Sequence, residues 1–112
     1  MGAATRALIV DPTTLVWVSA ATAWEIAIKT ALGRLEWDEP PEICLPRELE
    51  RSAFAQLPVS LAHALAVRAL PVHHRDPFDR LLIAQAQLEQ LSLVTADPII
   101  ARYDVSTIDA RQ

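Results

Sequence analysis

The sequence predicts an α/β domain built around a mostly parallel sheet. Two observations carry this reading. TLVWVS (Thr14–Ser19) and LSLVT (91–95) are short, continuous apolar runs of the kind that form strands covered on both faces. Each is followed by a polar cap and a segment with helical spacing, so strands alternate with helices along the chain. With 112 residues, the chain reads as a single domain. At 52% hydrophobic and 21% charged residues, it can fold around a core.

Taken in order, AATRALIV (3–10) reads as a short helix ended by Asp11-Pro12. After the strand TLVWVS, Ser19 is placed to N-cap a helix running to about Leu32. Ala20, Ala23, Trp24, Ala27, Ile28 and Ala31 recur at the spacing of one apolar helix face, and Gly33 stands where a helix stop belongs. EWDEPPEICLP reads as an irregular acidic connection, with Pro46 opening the next helix at its first turn. Leu57-Pro58-Val59 is a candidate short strand. Ser60 caps a helix over LAHALAVRAL that Pro71 closes. The segment HHRDPFDRLLIAQA leads into a helix from Pro77 to about Gln90. LSLVT follows as a strand, Asp97-Pro98 opens a short helix over IIARY, and VSTI (105–108) is a third strand candidate.

Composition narrows the function classes. The formal charge of -4 argues against a general nucleic-acid coat, which needs excess Lys and Arg to neutralise phosphates. It leaves room for a nucleic-acid enzyme, because a metal held by a carboxylate cluster inverts the local field. No apolar run is long enough to span a bilayer, and MGAATRALIVDPTT lacks the pattern of a signal peptide. The lone Cys44 excludes an internal disulfide framework and reads as a small, partly buried hydrophobe. A reducing, cytoplasmic setting and no membrane partner are expected.

The chemistry-bearing residues gather around the helix starts. Asp76-Pro77-Phe78-Asp79 places Asp76 at an N-cap, Pro77 at N1 and Asp79 at N3; Asp97-Pro98 repeats cap and proline. Capping accounts for Asp76. For Asp79 and Asp97 two readings stand side by side, as caps or as ligands of a hard divalent cation. Ligands in an open parallel sheet gather at the strands' carboxyl ends, and ionised oxygens suit such a cation. Glu25, early in the helix after TLVWVS, is a third candidate; the plain alternative is a surface pair with Lys29. His73 and His74 lack partners at zinc-ligand spacing, and His63 reads as a partly buried core histidine. Arg75 and Arg80 either hold a phosphate or balance the acidic loop.

Three segments together resemble the PIN domain, and more narrowly the VapC toxins of bacterial toxin–antitoxin pairs. They are SAATAWEIAIKTALGRLEW, LPVHHRDPFDRLLIAQAQLEQLSLVTADPIIARYDV and the acidic positions within them. WEIAIK and HRDPFDRLLIAQA are the specific parts; Thr95-x-Asp97 after a strand gains weight from its order. The resemblance implies a three-layer α/β/α fold, Mg²⁺- or Mn²⁺-dependent endoribonuclease activity on RNA, a cognate antitoxin and frequent homodimerisation. By position it implies that Glu25, Asp79 and Asp97 form the catalytic, metal-holding site. Thr95 and Asp76 support that site, and Arg75 and Arg80 are RNA-phosphate candidates. The family begins with a strand ending in a further aspartate, and nothing here matches it. The expectation is therefore a PIN-like domain lacking its first strand. The alternative is a catalytically inactive chain that keeps only antitoxin binding or dimerisation.

Overall fold

The computed structural model describes residues 1–112. Its elements are α1 (Ala3–Val10), β1 (Trp17–Ser19), α2 (Ala20–Ala31), α3 (Pro41–Arg51), β2 (Ala55–Leu57), α4 (Leu61–Ala66), α5 (Pro77–Glu89), β3 (Leu93–Thr95) and β4 (Thr107–Asp109). Two 3₁₀ turns, Val67–Ala69 and Ile100–Arg102, follow α4 and β3. Helices and parallel strands alternate as the sequence predicts. The chain divides into two compact units, one of residues 15–58 and one of residues 1–14 with 59–112.

In the 15–58 unit, β1 pairs in parallel with β2, Trp17 opposite Ala55 and Ser19 opposite Leu57. Ser19 ends β1 and caps α2, its side chain accepting from the Ala21 N–H at 3.0 Å. The stop at Gly33 is a left-handed residue, φ +70°, a conformation glycine adopts without strain. Arg34 N–H then reaches back to the Lys29 carbonyl at 2.9 Å and closes the helix end. Helix α3 begins five residues earlier than the sequence suggests, at Pro41 rather than Pro46. Pro40 takes the extended cap position and its carbonyl accepts from Ile43 and Cys44 N–H. Pro41 fits N1, where no N–H is needed. Pro46 therefore sits inside the helix, where it forgoes one ladder hydrogen bond. The segment PPEICLP is helix, not loop.

In the other unit, β3 pairs in parallel with β4, Leu93 opposite Thr107 and Thr95 opposite Asp109. Leu70, Ile83, Ala84, Ile100 and Tyr103 form its core, with Ala66, Val67, Leu93 and Val105 packed against them. Ile83 and Ala84 come from α5, so this helix is the floor on which the loops around it rest. Ser60 caps α4 as expected, accepting from His63 N–H, while the His63 ring accepts from Ser60 N–H. His63 is buried and its Nε2 lies 2.8 Å from Glu89 Oε1, a satisfied core histidine. The expectation of strands buried on both faces does not hold. Trp17 and Val94 are exposed.

Candidate active site

Helix α5 starts as its sequence dictates. Asp76 is the N-cap: its Oδ1 accepts from Phe78 N–H at 2.8 Å and Asp79 N–H at 3.3 Å, with Pro77 at N1. That capping satisfies two donors the helix would otherwise leave open. Asp79 stands at N3, in the first turn of the helix.

Asp97 follows β3 by two residues. The Thr95 hydroxyl accepts from Asp97 N–H at 3.0 Å, and Asp97 Oδ1 accepts from Ile99 N–H at 2.9 Å. These two short turns aim the second carboxylate oxygen, Oδ2, away from its own backbone. The Ile99 N–H, and after it the contact with His74, hold the Asp97 carboxyl below the usual carboxylate range.

The structure brings these two acids together. The His74 imidazole Nε2 lies 3.0 Å from Asp79 Oδ2 and 2.8 Å from Asp97 Oδ2. One ligand atom from each of the three residues falls within 4.8 Å of the others. The carboxylates are 27% and 35% exposed, so an ion can reach them from solvent. Two carboxylate oxygens this close are a donor pair suited to a hard divalent cation. His74 is the participant that sequence reasoning missed. Along the sequence it has no partner at zinc-ligand spacing; in the fold its partners are carboxylates 5 and 23 residues away along the chain. The available signal is its place two residues ahead of an Asp-Pro helix start.

The loop that carries His74 is pinned from below. Tyr103 Oη accepts from His73 N–H at 3.0 Å and His74 N–H at 2.7 Å, and the His73 ring meets the Tyr103 ring edge-on at 4.9 Å. Arg80 spans the same loop. Its Nη1 donates to the Pro71 and His74 carbonyls and to Tyr103 Oη, and its Nη2 donates to the Val67 and Leu70 carbonyls. These contacts turn Arg80 toward the backbone of residues 67–74. Arg75 is exposed, beside the acids in sequence. Glu25 lies on α2 in the 15–58 unit, 3.3 Å from Lys29 Nζ in an i, i+4 pair.

An Asp in the first turn of α5 thus meets an Asp just after β3, and comparison with known proteins gives the family. The sequence matches the family model described as "PIN domain" over residues 2–106, and the chain belongs to that family. The chain is 40% identical over 65 residues to Ribonuclease VapC16 of Mycobacterium tuberculosis (strain ATCC 25618 / H37Rv). That match covers 58% of this chain and 46% of the relative, so the chain spans about half of the relative's length. No solved structure matches. No helix is long and apolar enough to cross a membrane.

Proposed function

We propose that this chain is a divalent-metal-dependent endoribonuclease, the toxin of a toxin–antitoxin pair. The observation that carries the reading is the meeting of Asp79 and Asp97 in a PIN-domain chain, with their Oδ2 atoms both within 3.0 Å of one imidazole nitrogen. The name of the ribonuclease relative supports the substrate class. Asp79 and Asp97 would hold Mg²⁺ or Mn²⁺. When bound, the cation supplies Lewis-acid chemistry, polarising a phosphate oxygen and making water a better nucleophile. The chain's own residues do the rest. Asp76 fixes the start of α5, and Thr95 sets the turn that aims Asp97. The exposed Arg75 is the candidate for steadying RNA phosphate, and Glu25 is the third acid of the reading, in the role of orienting or deprotonating water.

A protein partner also belongs to this reading. Leu15 and Leu32 in the 15–58 unit, and Leu61, Leu65 and Val72 in the other, are each more than 60% exposed. The 15–58 unit also holds a concavity of about 560 Å³ lined by Ala23, Ala27, Leu45, Leu49 and Leu57 among others. Such surfaces suit an antitoxin segment or a second copy of the chain in a homodimer.

The test is cleavage of a single-stranded RNA by the purified protein with Mg²⁺, with Mn²⁺ and with EDTA, beside the Asp79→Asn variant. Metal-dependent cleavage that the variant lacks is expected. A folded wild-type protein that binds Mn²⁺ and an antitoxin yet cleaves no RNA would overturn the enzymatic part and leave the binding protein.

A further inference from the structure

His74, Asp79 and Asp97 stand at the spacing of a three-ligand metal site. The hydrogen bonds around the imidazole argue for a different role. His74 Nδ1 faces the backbone N–H of Asp76 at 3.2 Å. A backbone N–H only donates, so Nδ1 is held as an acceptor and the ring proton sits on Nε2. Nε2 is the atom between the carboxylates. Bearing a proton, it has no lone pair to give a cation. Ligation through Nε2 would need the proton on Nδ1, where it would point at the Asp76 N–H, donor against donor.

The backbone of His74 has little freedom to relieve this. Its N–H is tied to Tyr103 Oη at 2.7 Å and its carbonyl to Arg80 Nη1 at 3.3 Å. Tyr103 is itself a core residue, 4% exposed. The ring, by contrast, borders solvent and turns about its own side-chain bonds. It is the part of the loop able to move.

We propose that His74 is a displaceable occupant of the cation position rather than a ligand. Its Nε2–H donates to Asp97 Oδ2, with Asp79 Oδ2 3.0 Å from the same nitrogen, and so keeps the two anionic oxygens beside one another. Asp79 and Asp97 would hold a divalent cation once the ring has swung out from between them. The proposal rests on the reading of Asp79 and Asp97 as the metal-holding pair. It adds that a removable hydrogen-bond donor of this chain competes with the cation for those two carboxylates. His74 is therefore a positioning residue.

The experiment is Mn²⁺ titration by calorimetry of the wild-type chain, His74→Ala, His74→Gln and Asp79→Asn, with thermal melts to show which are folded. Displacement predicts that His74→Ala binds Mn²⁺ more tightly, about tenfold, because a hydrogen bond to charged partners no longer competes. His74→Gln keeps an amide that can donate to the carboxylates and accept from Asp76, so it should stay near wild type. A ligand role predicts that both variants bind at least tenfold more weakly, and that result overturns the proposal. Should His74→Ala fail to fold, His74→Gln decides.

A second readout needs no metal affinity. Long-range ¹H–¹⁵N spectra of the protein without added metal should show His74 protonated at Nε2 and not at Nδ1. A proton on Nδ1 overturns the proposal. Loss of Mn²⁺ binding in none of the proteins, or its absence from all of them, including wild type and His74→Ala, defeats the metal-site reading and the displacement with it. Wild-type binding weakened by His74→Ala defeats the displacement alone.

Discussion

Arg80→Met removes the guanidinium that ties residues 67–74 together and keeps the aliphatic stem. Five acceptors face that guanidinium, at 3.0 to 3.4 Å. The two contacts at 3.4 Å, to Tyr103 and Leu70, are long enough to count for little. The Pro71 carbonyl is exposed, so water takes over that bond at small cost. Val67 and His74 carbonyls, both partly buried, remain as charge-assisted bonds at 3.2 and 3.3 Å. Each such bond contributes about 1.5–3 kcal/mol in full burial, and at half exposure the pair comes to about 2–3 kcal/mol. For a chain of this size about 1 kcal/mol moves the melting temperature by about 4 °C, so the variant should melt about 8–12 °C lower. Circular dichroism melts in EDTA measure this without metal or RNA. Arg80→Lys should recover less than half of the loss, because one ammonium cannot bridge acceptors on both sides of the loop. A melting temperature within about 2 °C of wild type, together with weakened RNA binding, would refute the reasoning and make Arg80 the phosphate contact.

Asp79→Asn should leave the melting temperature in EDTA within about 4 °C of wild type, because Asp76 carries the capping, yet remove the stabilisation that Mn²⁺ gives; at one hundred times the dissociation constant that stabilisation is about 2.7 kcal/mol. Retained stabilisation by Mn²⁺ would remove Asp79 from the ligand set. Glu25→Gln should lower RNA cleavage far more than stability, since the half-exposed pair with Lys29 is worth only about 0.2–0.5 kcal/mol; a large drop in melting temperature with full specific activity would make Glu25 structural. The depressed Asp97 carboxyl stabilises the fold above the unfolded carboxylate range, and that contribution is lost as pH falls through its lower folded-state value. Melting curves of wild type and Asp97→Asn should therefore differ at neutral pH and converge in acid, and a gap that persists or widens in acid would contradict the assignment.

What the sequence made legible were the elements whose ends are chemically punctuated. Ser19, Ser60 and Asp76 cap the helices they precede, and Gly33 stops α2, because short polar side chains and a residue free to take positive φ act locally. The start of α3 was not legible in the same way. Pro40-Pro41 and Pro46 carry opposite local meanings, and only the packing of α3 against α2 makes a helix containing Pro46 worthwhile. At the site, Asp79 and Asp97 could be nominated from their places beside a helix start and a strand end. Their convergence on His74 could not, since it depends on the core residues Tyr103 and Ile83 that set α5 and the loop before it. Arg80 was ambiguous for a related reason: the carbonyls it meets are created by the fold, and a motif read along the chain does not contain them.

The four residues Asp76-Pro77-Phe78-Asp79 also explain how a capping motif leaves a carboxylate for chemistry. In a reciprocal capping box the N3 side chain would turn back to the N-cap N–H. Here that N–H donates to His74 Nδ1 instead, and Asp76 alone caps the N–H groups of Phe78 and Asp79. The imidazole thus does two things with its two nitrogens. Nδ1 takes over the backbone donor that would have drawn the Asp79 carboxylate inward, and Nε2–H meets that carboxylate facing Asp97. A side chain lacking either function would leave one end of the arrangement unsatisfied: an acceptor alone could not bridge the acids, and a donor alone would clash with the Asp76 N–H. Neutral imidazole, with one donor and one acceptor on opposite sides of a rigid ring, supplies both. The same geometry that starts α5 therefore delivers Asp79 to Asp97.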